Sequence, residues 1–286
     1  MKKLRVSSIF NLLSYPNEDF SEYIRAGLTA FKEIGYDTAD FGTGMLDLSS
    51  DRCLVQTEQA LSVAEEIGFR FEISHLPFMV EQPKTPEIAE AFNKKMYRAI
   101  DAVKLLGVDH AVMHPNATTI PTKAYKRQEQ YDLVMRHLAP FVEYADRVGV
   151  NVVVENMRIK PSFVEAHRYC QFPDELCEVA DALGIGVCWD FGHANISGVR
   201  QSEGLAYVGK RLKVLHINDN TAFEDDHIPP FAGNVDWKDA MHGLALAGFD
   251  GPLNYEVEPG RVPATLKKDL AKYLLAAADT LMSFIE

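Results

Sequence analysis

The sequence predicts a single (β/α)8 barrel over residues 1–286. Three observations carry that expectation. Short β-branched runs alternate with longer helical patterns until eight of each have passed. No Ser/Gly-rich linker or break in composition divides the chain. Four of the later strand-like runs end in a side chain able to bind a metal: Glu155, Asp190, His216 and Glu256. Barrels of this kind keep their chemistry at the carboxyl ends of the strands, which is where these residues fall. The other arrangement, an open doubly wound sheet, lacks its usual G-x-G-x-x-G after the first strand.

The first strand is expected at residues 4–9, followed by a helix over 17–34 with Pro16 just ahead of it. Residues 37–41 form a short second strand, and 57–67 a helix stopped by Gly68. Residues 69–75 alternate as the third strand and run into Leu76-Pro77-Phe78, where the proline ends pairing. In the next helix Ile88, Phe92, Met96, Ile100 and Val103 share one face at three- and four-residue spacing. Pro86 sits in its first turn and Gly107 ends it. The fourth and fifth strands fall at 110–114 and 151–155, separated by a long helix over 125–148 that Gly149 ends. A helix over 172–183 leads to the sixth strand, 186–190, and a short helix near 203–208 to the seventh, 212–216. A helix over 237–247, the eighth strand at 253–256 and a closing helix over 264–284 complete the chain.

Composition narrows the function. With 29 basic and 41 acidic residues the net charge is −12, which argues against a broad cationic groove for nucleic acid. No apolar run approaches the ~20 residues of a membrane span. The opening residues carry Arg5, Ser7 and Ser8 where a signal peptide would be apolar, so a cytoplasmic location is expected. Cys53, Cys170, Cys177 and Cys188 form no C-x-x-C pair and read as reduced, mostly buried thiols.

Glu155, Asp190, His216 and Glu256 end the fifth to eighth strands, so all four can converge on one side of the barrel mouth. A lone strand-end carboxylate more often caps a helix or pairs with arginine. Three carboxylates and a histidine on neighbouring strands favour a shared divalent ion, because a buried carboxylate without a partner costs several kcal/mol. A donor set containing an imidazole suits Mn²⁺, Co²⁺ or Zn²⁺ better than Mg²⁺ or Ca²⁺. Further candidates are His75 and His114 at the third and fourth strand ends, His193 three residues after Asp190, and Asp225 with His227 in the loop after the seventh strand. Each of these is either a substrate contact, an ordinary hydrogen-bonded group, or a ligand of an additional metal. His110, His137, His167 and His242 have no such position and read as structural or surface residues. Phe10, Phe78 and Trp189 are candidates for covering apolar sugar faces, each with core packing as the alternative.

The ordered set His75-Leu-Pro-Phe, His114-Pro-Asn, Glu155-Asn, Asp190-Phe-Gly-His193, His216-Ile-Asn-Asp, Asp225-Asp-His227-Ile-Pro-Pro and Glu256 resembles the xylose-isomerase-like TIM-barrel superfamily of sugar phosphate isomerases and epimerases. That superfamily includes ketose 3-epimerases, hydroxypyruvate isomerases, inosose dehydratases and zinc-dependent apurinic-site endonucleases. The resemblance implies that Glu155, Asp190, His216 and Glu256 bind the metal and that His193 contacts substrate hydroxyls. It also implies a second possibility, the endonucleases' multinuclear zinc site, in which His75, His114, His193, Asp225 and His227 are ligands too. Two departures weigh against the endonucleases. The segment Ile228-Pro-Pro-Phe-Ala-Gly-Asn-Val-Asp-Trp237 lacks the glutamate and one glycine of the usual Pro-Gly-Glu-Gly-Asp-x-Asp-Trp loop, and the first strand lacks the expected His and Gly-Gly.

The leading expectation is therefore a divalent-metal-dependent isomerase, either a ketose epimerase or an aldose–ketose isomerase. Glu155 and Glu256 move the proton next to the carbonyl through an enediolate. The alternatives are an apurinic-site endonuclease-like phosphodiester hydrolase and a keto-inositol dehydratase. The expected partner is a small sugar or sugar-derived molecule, with no nucleic acid and no membrane; a homo-oligomer is left open. No phosphate-binding glycine loop is legible.

Overall fold

A computed structural model of the chain describes residues 4–14, 17–79, 83–159, 165–260 and 262–285; Pro16 lies outside these. The strands are β1 (Val6–Ser8), β2 (Ala39–Asp40), β3 (Phe71–His75), β4 (His110–Met113), β5 (Thr119–Pro121), β6 (Val152–Glu155), β7 (Ala166–Arg168), β8 (Gly186–Asp190), β9 (Leu212–His216) and β10 (Leu253–Tyr255). Six form one parallel sheet in the order β2-β3-β4-β6-β8-β9, and β1 lies parallel to β10. Parallel bridges from Ile9 to Asp40 and from Ile217 to Tyr255 join the two sets, so the ring closes as expected.

The strand period of two builds the site directly. Ile73, Val112, Val153, Cys188 and Val214 form a small apolar cluster inside the ring, separate from the main core. Two residues further along the same strands, and hence on the same face, stand His75, His114, Glu155, Asp190 and His216. The inner apolar layer is thus a floor, and the polar residues are the layer above it at the carboxyl ends. Side chains between these positions face outward. Trp189 is one: it is fully buried against Gly204 and donates from Nε1 to Gln201 Oε1 at 3.0 Å. It is core, and the expectation that it could cover a sugar is wrong because its strand position points it to the helix layer.

The outer layer comprises α1 (Phe20–Ile34), α2 (Arg52–Ile67), α3 (Pro86–Leu106), α4 (Arg127–Val148), α5 (Pro173–Leu183), the short α6 (Phe191–Ile196), α7 (Gln201–Val208), α8 (Trp237–Ala247) and α9 (Ala264–Ser283). Local signals set their ends. Thr85 caps α3, with Pro86 at the position where a missing N–H is harmless, and Gly107 closes it at a φ of 68° that residues with a Cβ resist. Helix α2 begins five residues before the predicted 57, because its buried face includes Gln56 and Thr57, which hide the apolar period. Two features were not foreseen. Helix α6 starts directly at the end of β8, and β5 pairs antiparallel with β7 outside the ring, Thr119 opposite Arg168. All four cysteines are free and buried. No described helix is long and apolar enough to cross a membrane.

Candidate active site

The nine residues singled out in the sequence meet at the carboxyl end of the ring in three groups, two of which share Glu155. Glu155, Asp190, His216 and Glu256 offer donor atoms that all lie within 4.8 Å of one another, as do those of His75, His114 and Glu155, and those of His193, Asp225 and His227. His216 is central to the first group: its Nδ1 is 3.1 Å from Glu155 Oε1 and 3.1 Å from Glu256 Oε2. Two ligands held at ~2.1 Å from a common divalent ion are about 3 Å apart, so these spacings fit one. The other oxygen of Glu155 is 3.1 Å from His114 Nε2 and 3.5 Å from His75 Nε2, and those two ring nitrogens are 3.1 Å apart. Glu155 therefore belongs to two groups at once, one per oxygen.

Outer contacts orient the imidazoles. His75 donates from Nδ1 to Leu76 O at 2.9 Å, His193 to Asn156 O at 2.8 Å and His227 to Glu256 O at 2.9 Å. In each ring this leaves Nε2 turned to the site, the arrangement common in metal-binding histidines. For His193 and His227 that nitrogen faces Asp225 Oδ1, at 3.6 Å and 3.3 Å. Asp190 is braced on both oxygens: Oδ1 accepts from His193 N at 2.6 Å and caps α6, and Oδ2 accepts from Asn218 Nδ2 at 2.7 Å. Asn156 grips the Asp190 backbone, accepting from its N–H at 2.6 Å and donating to its carbonyl at 2.9 Å.

The electrostatics match a site that exchanges protons for cations. Burial opposes charge on Glu155, but the charge of His216 first, and then its close contact with His114, outweigh it and hold the carboxyl well below its usual range. Glu256 is likewise held at about 2 against burial, by His216 first and His227 next. Burial raises Asp190 to about 6. Burial also opposes charge on His193 and His227, yet Asp190 and Asp225 lift the first to about 9, and Asp225 and Glu256 lift the second to about 11. Burial lowers His114 to about 4, which keeps it neutral. Several buried atoms have no hydrogen-bond partner, among them Glu155 Oε2 and Asp225 Oδ1. Orphaned acceptors of this kind are expected where an ion belongs, so the donor set fits a divalent metal.

Above the groups opens a cavity of about 720 Å³ whose walls include Phe10, Met45, Phe78, Arg158 and Arg168. Phe78 stacks on His114 with ring centroids 4.4 Å apart and is half exposed. Phe10 lines the same space, though its ring is also packed tightly against Gly27. The sequence reading missed Asp40, which is fully buried at the end of β2 with Oδ2 3.9 Å from His216 Nε2. It also missed Arg158, 2.7 Å from Asp225, and Arg168 on β7. Of the residues set aside as structural, His167 pairs with Glu175 at 2.9 Å, away from the cavity walls.

Comparison with known proteins agrees with this fold. Residues 28–277 match the family model described as xylose isomerase-like TIM barrel. An uncharacterized protein of Sinorhizobium fredii is 27% identical over 165 residues, 57% of this chain and only about half (51%) of that protein's length. Among solved structures, a D-tagatose 3-epimerase-like protein superposes with a TM-score of 0.71 at 19% identity, covering 97% of this chain and 99% of its own. An L-ribulose 3-epimerase superposes at 0.76 with 15% identity, covering 99% and 95%. Such low identities establish shared architecture, and the family match extends over most of the sequence: this chain belongs to the xylose isomerase-like TIM barrel family.

Proposed function

We propose that the protein is a divalent-metal-dependent isomerase or epimerase of a small sugar, moving a proton on a carbon next to a carbonyl. The observation that carries this reading is the meeting of Glu155 and Glu256 at one nitrogen of His216. They reach it from β6 and from the residue after β10, three places apart in the ring. Two carboxylates so placed can flank a flat enediolate. One removes a proton from its face, and the other, having taken a proton from solvent, returns one to the opposite face. Return to the same carbon inverts a stereocentre; return to the neighbouring carbon, with the enediolate's hydroxyl proton passing to the former carbonyl oxygen, moves the carbonyl. A divalent ion held by Glu155, Asp190, His216 and Glu256 would supply the positive charge that stabilises the enediolate. The shared architecture with a D-tagatose 3-epimerase-like protein and an L-ribulose 3-epimerase supports the substrate class. The test is incorporation of solvent deuterium into ketoses by the metal-loaded chain; a complete absence across a ketose and keto-inositol panel contradicts it.

A second reading rests on a specific observation: Glu155 turns its other oxygen to His75 and His114, and His193, Asp225 and His227 form a further group. That donor set suits a multinuclear zinc site for phosphodiester hydrolysis. Three zinc ions per chain, with nicking of abasic duplex DNA, would favour it over the isomerase.

A further inference from the structure

We propose that Arg168, with Arg158 beside it, forms a subsite for an anionic group on the substrate, either a phosphate monoester or a carboxylate. The proposal rests on the sugar-enzyme reading and narrows its substrate class.

Both arginines line the cavity, and Arg168 Nη1 donates to the Arg158 carbonyl at 3.4 Å. Their charges are balanced unequally. Arg158 Nε is 2.7 Å from Asp225 Oδ2. Arg168 has no carboxylate within ion-pair distance among the described residues. Among the described residues its side-chain partners are two carbonyls, that of Arg158 and that of Ala117, which accepts from Nε at 2.8 Å. Asp225 already faces His193 and His227 as well, so it has little charge left for a second guanidinium. Burial, and then the neighbouring Arg158, push Arg168 down to about 10, the sign of a cation short of counter-charge. Holding β7 in place does not require a full charge: a neutral amide could donate to Ala117 O. A guanidinium kept in a cavity with donors to spare is suited to a planar or tetrahedral oxyanion.

The arginine is also held firmly in advance. Its N–H donates to Gln171 Oε1 at 2.8 Å, and the preceding His167 is 2.9 Å from Glu175 on α5. Glu175 also accepts from Cys170 N at 3.0 Å and from Tyr125 Oη at 2.5 Å. The β5–β7 pair thus positions Arg168 before any ligand arrives, which lowers the entropy lost on binding. A cavity of about 720 Å³ has room for a sugar together with a charged substituent.

The test is isothermal titration of the metal-loaded chain with D-ribulose, D-ribulose 5-phosphate and 5-keto-D-gluconate. One of the two anions should bind on the order of 10- to 100-fold tighter than D-ribulose, and which one it is identifies the anion. Arg168→Gln should remove that preference, while Arg168→Lys, which keeps the charge but not the fork, should retain part of it. No preference in the wild type, or a preference that survives R168Q, overturns the proposal. Tighter binding of abasic duplex DNA than of either small anion, lost in R168Q, also overturns it, because the anion would then belong to a nucleic acid. Inorganic phosphate and acetate titrated into the EDTA-treated chain need no variant to fold: a saturable rise in Tm with either anion supports the subsite, and no rise with either contradicts it. If phosphate binds but no ketose does, the subsite stands and the isomerase reading falls.

Discussion

Oε2 of Glu155 lies 3.1 Å from Nε2 of His114, while its Oε1 is turned to His216. One carboxylate therefore serves two groups, and the groups can be separated by mutation. His114→Ala should leave about one metal ion per chain, held by the Glu155, Asp190, His216 and Glu256 group, because none of those four residues is changed. Metal analysis of the purified variant checks this; a variant that retains no ion contradicts the separation.

Gly192 sets the spacing behind Asp190. A Cβ there would lie 2.0 Å from Asn218 Oδ1 and 2.8 Å from Asn220 Nδ2. Gly192→Ala must displace Asn218, which donates to Asp190 at 2.7 Å. Overpacking of this kind typically costs about 1–3 kcal/mol. The expected outcome is a lower Tm together with weaker metal binding, measured by calorimetric titration. A variant with wild-type values for both would show that Asn218 does not brace the ligand.

The pH dependence of the ion-free chain follows from the same contacts. His193 and His227 are raised to about 9 and about 11, so the stability they contribute is full below their unfolded value near 6.5 and is lost as pH rises through 9 and beyond. Glu256, lowered to about 2, contributes stability above its unfolded value near 4.5 that is lost as pH falls toward 2. His114, lowered to about 4, works in the same direction as Glu256: the unfolded chain takes its proton first as pH drops below about 6.5. The Tm in EDTA should therefore peak in mildly acidic solution and fall between pH 6.5 and 9. Metal binding releases the histidine protons, so the gain in Tm on adding Mn²⁺ or Zn²⁺ should grow over that range. Thermal melts with and without metal check this; parallel curves would contradict it.

Much of the ring was readable in advance because its strand ends carry chemistry. The sequence could show Val152 to Glu155 as an apolar run closed by a carboxylate, and period two then places Glu155 directly above Val153. Asp40 escaped notice because β2 is only two residues long and offers no alternation. Arg168 escaped for a different reason: its position depends on pairing with Thr119, a contact across 49 residues that leaves no local signature. The start of α2 was hidden by the buried polar side chains of Gln56 and Thr57. Orphaned acceptors such as Glu155 Oε2 have no counterpart in a one-dimensional pattern at all.

Glu256→Gln keeps the size of the side chain but removes its charge, 3.1 Å from His216. Loss of a positioned acid or base typically lowers turnover about 10²- to 10⁴-fold. The variant should fall by that order in steady-state assays even when metal analysis shows the site filled. Undiminished turnover would remove Glu256 from the proton transfer.

The central claim is that Glu155 and Glu256 carry a proton to and from a substrate carbon. Its most direct test is proton NMR of a responsive ketose incubated in deuterium oxide with the metal-loaded wild type and with Glu155→Gln. The wild type should exchange one hydrogen next to the carbonyl for deuterium, and E155Q should exchange none on the same timescale. Exchange by E155Q at the wild-type rate would contradict the account.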